Sequence, residues 1–289
     1  MIQSNKTLPT VSIVVPVYND PTGLRTCLEC LESQTYPKEK LNIIVVDNKS
    51  TDHTPDVAKE FDVELLYETN IQGSYAARNK GIKHSNNEII AMTDSDCKPI
   101  DQWIARGVHK LLNQPADLVG GAVKFELSKS PSNSEILDSI SNMQNKENIE
   151  TRNVAKTANL FSKREVFKKI GLFPHELISG GDVGWTKKAT ESGFKLSYSS
   201  NAIVFHPTRS FLPLVKKQFR VGRGISQSSQ SKSILRLLFP PNPIRIFKKM
   251  RKNDVRTWNF LPVWLIGWVL KTVTAIGNLY EGTNRNEKS

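Results

Sequence analysis

The first 125 residues alternate between short apolar runs and amphipathic stretches. Val11–Val17 (VSIVVPV) is a β-branched run of the kind found in a fully buried strand. Asn19-Asp20-Pro21 follows as a turn and helix start, and Leu24, Cys27, Leu28 and Leu31 then keep helical spacing. The same reading predicts a strand over Leu41–Val46, a helix over Thr51–Phe61, a strand over Val63–Tyr67 and a loop then a helix over Ile71–His84. It continues with a strand over Glu88–Thr93, a helix over Trp103–Asn113 and a strand over Leu118–Phe125. Strands separated by helical patterns of this length imply βαβ units, hence an α/β domain on a mostly parallel sheet with flanking helices.

Beyond this the pattern loosens. Residues 128–150 are rich in Ser, Asn and Glu and read as an exposed helix or a mobile loop. Residues 157–206 form a second compact block that ends in strand material, KLSYSSNAIVFH. The chain then turns basic. From Arg209 to Arg256 thirteen Lys and Arg residues face a single acid, Asp254, so the whole chain's net charge of +12 sits in this segment. An anionic partner is implied: nucleic acid, an anionic membrane or a phosphorylated substrate. Trp258–Tyr280 is apolar apart from Lys271, and as a helix its 23 residues would reach about 34 Å, enough for a bilayer. Pro262, Lys271, Thr272, Thr274 and Asn278 dilute it. It reads first as an interfacial amphipathic helix beside the basic run, with a helix buried on the preceding domain or a true span as alternatives. Three cysteines, of which Cys27 and Cys30 form a lone C-x-x-C, argue for a reduced, cytoplasmic chain without a zinc site. The start, MIQSNKTLPT, has no apolar signal-peptide core.

The chemistry gathers at strand ends, where open parallel sheets bind their ligands. The first strand ends in Pro16-Val17-Tyr18-Asn19, the second in Asp47-Asn48-Lys49-Ser50, the fourth in Asp94-Ser95-Asp96. Each polar residue alone would serve as a helix cap. Asp94 and Asp96, two residues apart, repel unless a positive group lies between them, and a hard divalent cation with phosphate oxygens is the usual answer. No G-x-G-x-x-G follows the first strand and there is no P-loop.

Together these pieces resemble the family 2 glycosyltransferases. VSIVVPVYND (11–20), IIVVDNKSTDHT (43–54), NIQGSYAARNKGI (70–82), MTDSDCKP (92–99), TANLFSKREVFKKIGLF (157–173) and GGDVGW (180–185) occur in that family's order and spacing, over roughly residues 9–225. The resemblance implies the Rossmann-like GT-A fold of nucleotide-diphospho-sugar transferases, with a catalytic domain over 1–206. Its nucleotide-sugar half would cover about 9–125 and its acceptor half about 150–206. A basic extension over 207–257 and an apolar or amphipathic helix with a polar tail over 258–289 would follow. It further implies that Pro16, Tyr18 and Asn19 line the nucleoside pocket, that Asp47 bonds the uracil ring, and that Gly73, Arg78 and Asn79 lie along nucleotide and sugar. Asp94 would face the ribose or metal, with Ser95 between it and Asp96, and Asp96 would bind Mn2+ or Mg2+. Asp182 stands at the position of the catalytic base, although the family more often has Glu-Asp where this chain has Gly181-Asp182. His206 matches a histidine near metal and diphosphate. Arg220 and Arg223, in a segment like the family's Arg-x-Gly-x-Gly, would close over the diphosphate or form a solvated basic face. Trp185, beside Gly181 on the acceptor side, would stack on a sugar or simply pack.

The residue types suit the reaction. A metal neutralises charge on the departing diphosphate, and one carboxylate on the opposite face accepts the acceptor's proton, which implies inversion. The expectation is a UDP-sugar-dependent, inverting transferase of cell-envelope polysaccharide synthesis acting on a glycan or lipid-linked saccharide. It would work from the cytoplasmic side, held peripherally at the membrane's inner face. Within the enzyme class the rival is a polyprenyl-phosphate sugar synthase. Outside it stand a glycan-binding, non-catalytic relative and a nucleic-acid-binding protein using the basic tail. The last is disfavoured because the aromatic residues do not interleave with the charges.

Overall fold

The computed structural model describes residues 8–227 and 234–286; Lys232 of the basic run, the first seven residues and the last three lie outside them. The elements run β1 (Val11–Val17), α1 (Pro21–Glu32), β2 (Leu41–Asp47), α2 (Thr54–Ala58), β3 (Glu64–Tyr67), α3 (Ser74–His84), β4 (Ile89–Thr93) and β5 (Lys98–Pro99). Next come α4 (Trp103–Asn113), β6 (Leu118–Glu126), α5 (Asn133–Ser141), α6 (Asn145–Arg152), β7 (Asn159–Lys163), α7 (Arg164–Ile170), α8 (Gly181–Glu191) and β8 (Leu196–Pro207). The chain closes with α9 (Phe211–Gln227), α10 (Ile234–Leu238), α11 (Pro243–Lys252) and α12 (Phe260–Asn286).

The eight strands form one sheet in the order β3-β2-β1-β4-β7-β6-β8-β5. The β3-β2-β1-β4 half is parallel, and every residue of β1 and β4 is buried, as their unbroken apolar runs require. The other half joins antiparallel, through β4 with β7, β7 with β6 and β8 with β5. Neither the strand NLFSK nor its antiparallel sense is expected from the sequence, which places strand material only at the end of the 157–206 block.

Two segments differ from expectation. The helix expected over Thr51–Phe61 is confined to α2 (Thr54–Ala58). Asp52 Oδ1 accepts from Thr54 N at 2.9 Å, and Asn19 Oδ1 accepts from Thr51 N at 2.8 Å, which holds Thr51–His53 in a loop. Residues 128–150 are ordered into α5 and the start of α6. A capping box between Ser132 and Glu135 starts α5, and its Ile136, Leu137 and Ile140 are buried.

The chain divides into two compact units. One comprises residues 1–123, 145–175 and 182–205 and contains the paired strands, with a core that includes Tyr75, Leu160, Phe167, Phe173 and Trp185. The other comprises 124–144, 176–181 and 206–289; its core is Ile136, Leu137, Ile140, Leu214, Ile246, Met250, Val263 and Leu270. Within this second unit α12 lies tightly along α9. A Cβ at Gly222 would stand 2.1 Å from the Thr274 carbonyl oxygen, and one at Gly277 would stand 2.2 Å from that of Phe219. Glycine is therefore required at both positions by backbone approach. Trp264, Trp268 and Lys271 donate to the carbonyls of Pro241, Leu238 and Phe239 at 2.7, 2.8 and 2.6 Å, tying α12 to the turn before α11. Along α12, Leu261, Leu265, Trp268, Val269, Ile276, Leu279 and Tyr280 are exposed. By length and mean hydropathy (1.6) the segment Thr257–Asn284 is apolar enough to cross a membrane, yet a third of its most apolar stretch is buried in the fold.

Candidate active site

In the first unit, the parallel register sets the carboxyl ends of β1, β2 and β4 side by side. Val17 pairs with Asp47, and Val14 pairs with Met92, so Asp94 comes level with the end of β1. The loops beyond are sewn together by side chains. Asn19, in the left-handed region at φ 47°, donates its backbone N–H to Ser50 Oγ at 2.9 Å, and Asp20 N donates to Thr54 Oγ1 at 2.9 Å. Asp20 also caps α1 by accepting from Gly23 N at 3.0 Å, and its second oxygen accepts the Ser95 hydroxyl at 3.0 Å. Pro16 is buried, whereas Tyr18 is half exposed.

Asp47 is buried at the end of β2. Its Oδ1 accepts from Ser50 N at 3.1 Å, and its Oδ2 has no hydrogen-bond partner among the described residues. A buried carboxylate oxygen left unpaired is costly unless a ligand donates to it. The neighbouring Asn48 is a structural hub that the sequence reading passed over. Its Nδ2 donates to the carbonyls of Glu68 and Ile71 at 3.1 and 2.9 Å, and its Oδ1 accepts from Gly73 N at 2.5 Å. Gly73 precedes α3 at φ 147°, in the region that favours glycine.

Helix α3 then presents Tyr75, Arg78 and Asn79, spaced i, i+3, i+4 and so on one face. Arg78 is buried and forms a close ion pair with Asp94, while its Nε has no hydrogen-bond partner among the described residues. Asn79 locks the Phe173 backbone, donating to its carbonyl at 2.8 Å and accepting from its N–H at 3.0 Å. The Tyr75 hydroxyl donates to Asp182 Oδ1 at 3.1 Å. Burial, then the Asp182 charge, push the Tyr75 phenol far above its ordinary range, so it is a standing donor. The sequence reading missed Tyr75; its i, i+3 relation to Arg78 was the available signal.

Asp182 lies inside the first turn of α8 and is not its N-cap. Besides Tyr75 it accepts from Val183 N at 2.9 Å and Thr157 N at 3.4 Å. One oxygen each of Asp94 and Asp96 and the Sγ of Cys97 lie within 4.8 Å of one another. The two carboxylates suit a hard cation. Cys97 does not: burial first, then Asp94 and Asp96, raise its thiol well above the usual range and keep it neutral. Cys27 is buried beneath the same loop, its Sγ 3.7 Å from the Asp94 carbonyl, and is core as expected.

Trp185 is corrected. It is buried, stacks on Phe167 at 4.4 Å between centroids, and donates Nε1–H to the Gly171 carbonyl at 2.7 Å, so its ring is not offered to an acceptor. Gly181 is buried at the start of α8.

The remaining expected residues fall in the second unit. His206 is buried near the end of β8; its Nδ1 lies 2.6 Å from the Pro207 carbonyl and its Nε2 3.2 Å from Arg209 Nη2. Arg223 is corrected as a diphosphate clamp. It is committed to Glu281 of α12 at 2.8 Å and lies over the Tyr280 ring. Arg220 is exposed on α9.

Comparison with known proteins shows the family and the fold to which these residues belong. Glycosyltransferase AglE of Haloferax volcanii is 49% identical over 223 residues, covering 75% of this chain and 73% of its own. A dolichyl N-acetyl-alpha-D-glucosaminyl phosphate 3-beta-D-2,3-diacetamido-2,3-dideoxy-beta-D-glucuronosyltransferase of Methanococcus voltae is 25% identical over 226 residues, covering 72% of this chain and 70% of its own. Among solved structures, the mannosyltransferase PcManGT from Pyrobaculum calidifontis, in complex with GDP-Man and Mn2+, superposes with a TM-score of 0.61 at 21% identity, over 96% of this chain and 75% of that one. S. aureus TarS (1–349) with UDP-GlcNAc gives 0.57 at 16% identity, over 96% and 92%. The fold is thus that of the GT-A glycosyltransferases. Residues 12–171 match the family Glycosyl transferase family 2, so the strand-end carboxylates and the helix behind them belong to a glycosyltransferase of that family.

Proposed function

We propose that this enzyme transfers a sugar from a UDP-sugar to a lipid-linked saccharide or other glycan, with inversion at the anomeric carbon. The observation that carries the donor reading is Asp47. A buried carboxylate with one oxygen unpaired is matched by a ring N–H such as that of uracil, and binding would remove the cost of the orphan acceptor. Pro16, Tyr18 and Asn19 line the same strand edge, with Gly73 and Arg78 along nucleotide and sugar, whereas Asn79 is corrected from a ligand contact to an anchor, its carboxamide being taken up by the Phe173 backbone.

Asp182 is the general base in this reading. The acceptor oxygen forms its bond to the anomeric carbon as the bond from that carbon to the diphosphate breaks, and the acceptor's proton passes to the Asp182 carboxylate. Tyr75 fixes the carboxylate's direction. Asp96 and Asp94 fit a divalent cation. Bound Mg2+ or Mn2+ supplies neutralisation of the charge on the leaving diphosphate. Arg78 pairs with Asp94 from behind, and Asp96 is the second carboxylate that would hold the ion. The Mn2+ in the PcManGT structure supports this reading. The M. voltae relative, named for a dolichyl-phosphate-linked acceptor, supports a lipid-linked saccharide.

The second unit holds the enzyme at the cytoplasmic face of a membrane. The exposed stripe of α12 and the exposed Ile244 and Phe247 of α11 are flanked by Arg245, Lys248, Arg251 and Lys252, a surface suited to anionic headgroups.

Calorimetry with UDP, GDP, ADP and CDP, with and without Mn2+, tests the donor. Metal-dependent, UDP-selective binding lost in Asp96→Ala is expected. Selectivity for GDP would move the donor, and binding of none would refute the proposal. Label transferred to a lipid monophosphate, instead of to a lipid-linked sugar, would favour the polyprenyl-phosphate sugar synthase.

A further inference from the structure

Helix α12 has 27 residues and reaches about 40 Å, longer than the hydrocarbon core of a bilayer. A helix that crosses a membrane is apolar all round. α12 is two-sided instead. Leu261, Leu265, Trp268, Ile276 and Leu279 are exposed, and their spacing by whole turns puts them on one face. Val263, Leu270, Thr274, Asn278 and Glu281 are buried, and by the same spacing they share another.

The buried face is taken by α9, in polar contacts. Thr274 Oγ1 donates to Gln218 Oε1 at 3.2 Å, and Arg223 and Gln227 donate to the Glu281 carboxylate at 2.8 and 2.7 Å. Gln218 meets Thr274 and Gln227 meets Glu281, so the two helices run parallel over the second half of α12. The close backbone approaches at Gly222 and Gly277 lie along this seam. Lys216, Lys217, Arg220 and Arg223 therefore travel with α12. Thr274 lies 16 residues beyond Trp258, about 24 Å along the helix. A crossing α12 would carry the cations of α9 into hydrocarbon, where an ionised side chain is expensive.

We infer that α12 lies in the plane of an anionic bilayer surface and does not cross it, with α10 and α11 beside it in the same interface. The inference rests on the membrane reading above and deepens it. α10 and α11 carry no acidic residue, and Arg236, Arg245, Lys248, Arg251 and Lys252 are exposed on them. Leu235, Ile244 and Phe247 are exposed between these cations, as is Phe239 just beyond α10. The surface is continuous with α12: Trp268 donates to the Leu238 carbonyl at 2.8 Å, and the Phe247 ring stands 5.7 Å from that of Phe260. Apolar side chains interleaved with cations suit acyl chains and anionic headgroups together. A nucleic acid would use the cations and leave Leu261, Leu265 and Leu279 in water.

Two thiol reporters test the topology in the full chain expressed in bacteria. They are Lys59→Cys on the first unit and Thr283→Cys near the end of α12, each in a Cys30→Ser background because Cys27 and Cys97 are buried. The chain should sediment with the membranes. Both reporters should escape an impermeant maleimide in intact spheroplasts and react after lysis. Purified chain should float with vesicles of phosphatidylcholine containing about 30% phosphatidylglycerol and not with phosphatidylcholine alone. Lys248→Glu and Leu265→Asp should each weaken that flotation about fivefold while thermal unfolding is unchanged. Labelling of one reporter and not the other in intact spheroplasts would overturn the inference and leave the membrane reading standing. So would flotation indifferent to both substitutions or equal on the two kinds of vesicle. A chain found neither in membranes nor on vesicles would refute the membrane reading and the inference with it.

Discussion

Tyr75→Phe is the sharpest test of how the base is held. The substitution removes one oxygen and keeps a buried ring that packs 6.0 Å from Phe173 between centroids. What is lost is a 3.1 Å hydrogen bond to a carboxylate. Bonds of that kind contribute about 1.5–3 kcal/mol. Asp182 keeps two others, from Val183 N at 2.9 Å and Thr157 N at 3.4 Å, so the loss belongs at the low end of that range. Expressed in the transition state, about 1.5 kcal/mol lowers kcat roughly tenfold. Donor affinity should not change, because the phenol bonds to the base. Steady-state transfer from the donor identified by calorimetry gives kcat, and calorimetry with UDP gives the affinity. The phenol is raised by burial and by Asp182, so it stays protonated through neutral and mildly alkaline pH. The alkaline limbs of wild type and variant should therefore coincide between pH ~7 and ~10. A kcat within twofold of wild type, or a parallel tenfold loss of UDP affinity, would refute the reasoning, the second by showing that α3 as a whole had moved.

Other expectations follow from the same geometry. Asp47→Asn should weaken UDP binding at least tenfold while thermal stability holds or rises, because the orphan buried charge is removed. Arg223→Ala should cost about 1–3 kcal/mol in chemical denaturation by removing the guanidinium that bonds the part-buried Glu281 carboxylate, yet leave UDP affinity intact. Gly277→Val should drive α12 off α9, seen as loss of cooperative unfolding, since its Cβ meets a backbone oxygen that cannot yield. Tyr36, its hydroxyl bonded to the Pro9 carbonyl, has a phenol pushed up to about 12 by burial and then Glu88. Its neutral form is favoured in the fold, so that contribution is complete below pH ~10 and is lost as pH climbs through 12. Ultraviolet titration should show the delayed phenol.

The parallel half of the fold was legible because burial on both faces leaves unbroken apolar runs: β1 and α4 match the expected bounds residue for residue. The strand-end carboxylates were legible for the same reason, since strand ends follow from strands. What stayed hidden depends on partners far along the chain. The sense of β7 is set by pairing Thr93 with Asn159, and no local pattern encodes that. Trp185 sits three residues after Asp182, and only the ring of Phe167 and the carbonyl of Gly171 decide that it packs. Arg223 reads as a clamp until Glu281, fifty-eight residues on, claims it. The α5 segment was misread because a Ser- and Asn-rich composition masks three isoleucine and leucine positions that a capping box turns inward.

The helix α3 joins these threads. Its face carries Tyr75 to the proposed base, Arg78 to the first of the paired carboxylates and Asn79 to the backbone at Phe173. Three side chains within five residues therefore fix groups that lie 107, 16 and 94 positions away in sequence. A helix is stiff over this length, so an error in one attachment moves the others with it. That is why the affinity and the turnover must be read together in the Tyr75 variant: a local hydrogen bond changes one, and a displaced α3 changes both. It is also why Arg78→Lys is not a conservative change. A lysine keeps the charge but lacks the guanidinium's second arm, which reaches the Ser74 carbonyl at 3.4 Å while the first holds Asp94. Metal-dependent UDP binding should weaken in Arg78→Lys even though the net charge is unchanged, and equal affinity in the two proteins would show that charge alone, not the fork, holds the Asp94 side of the site.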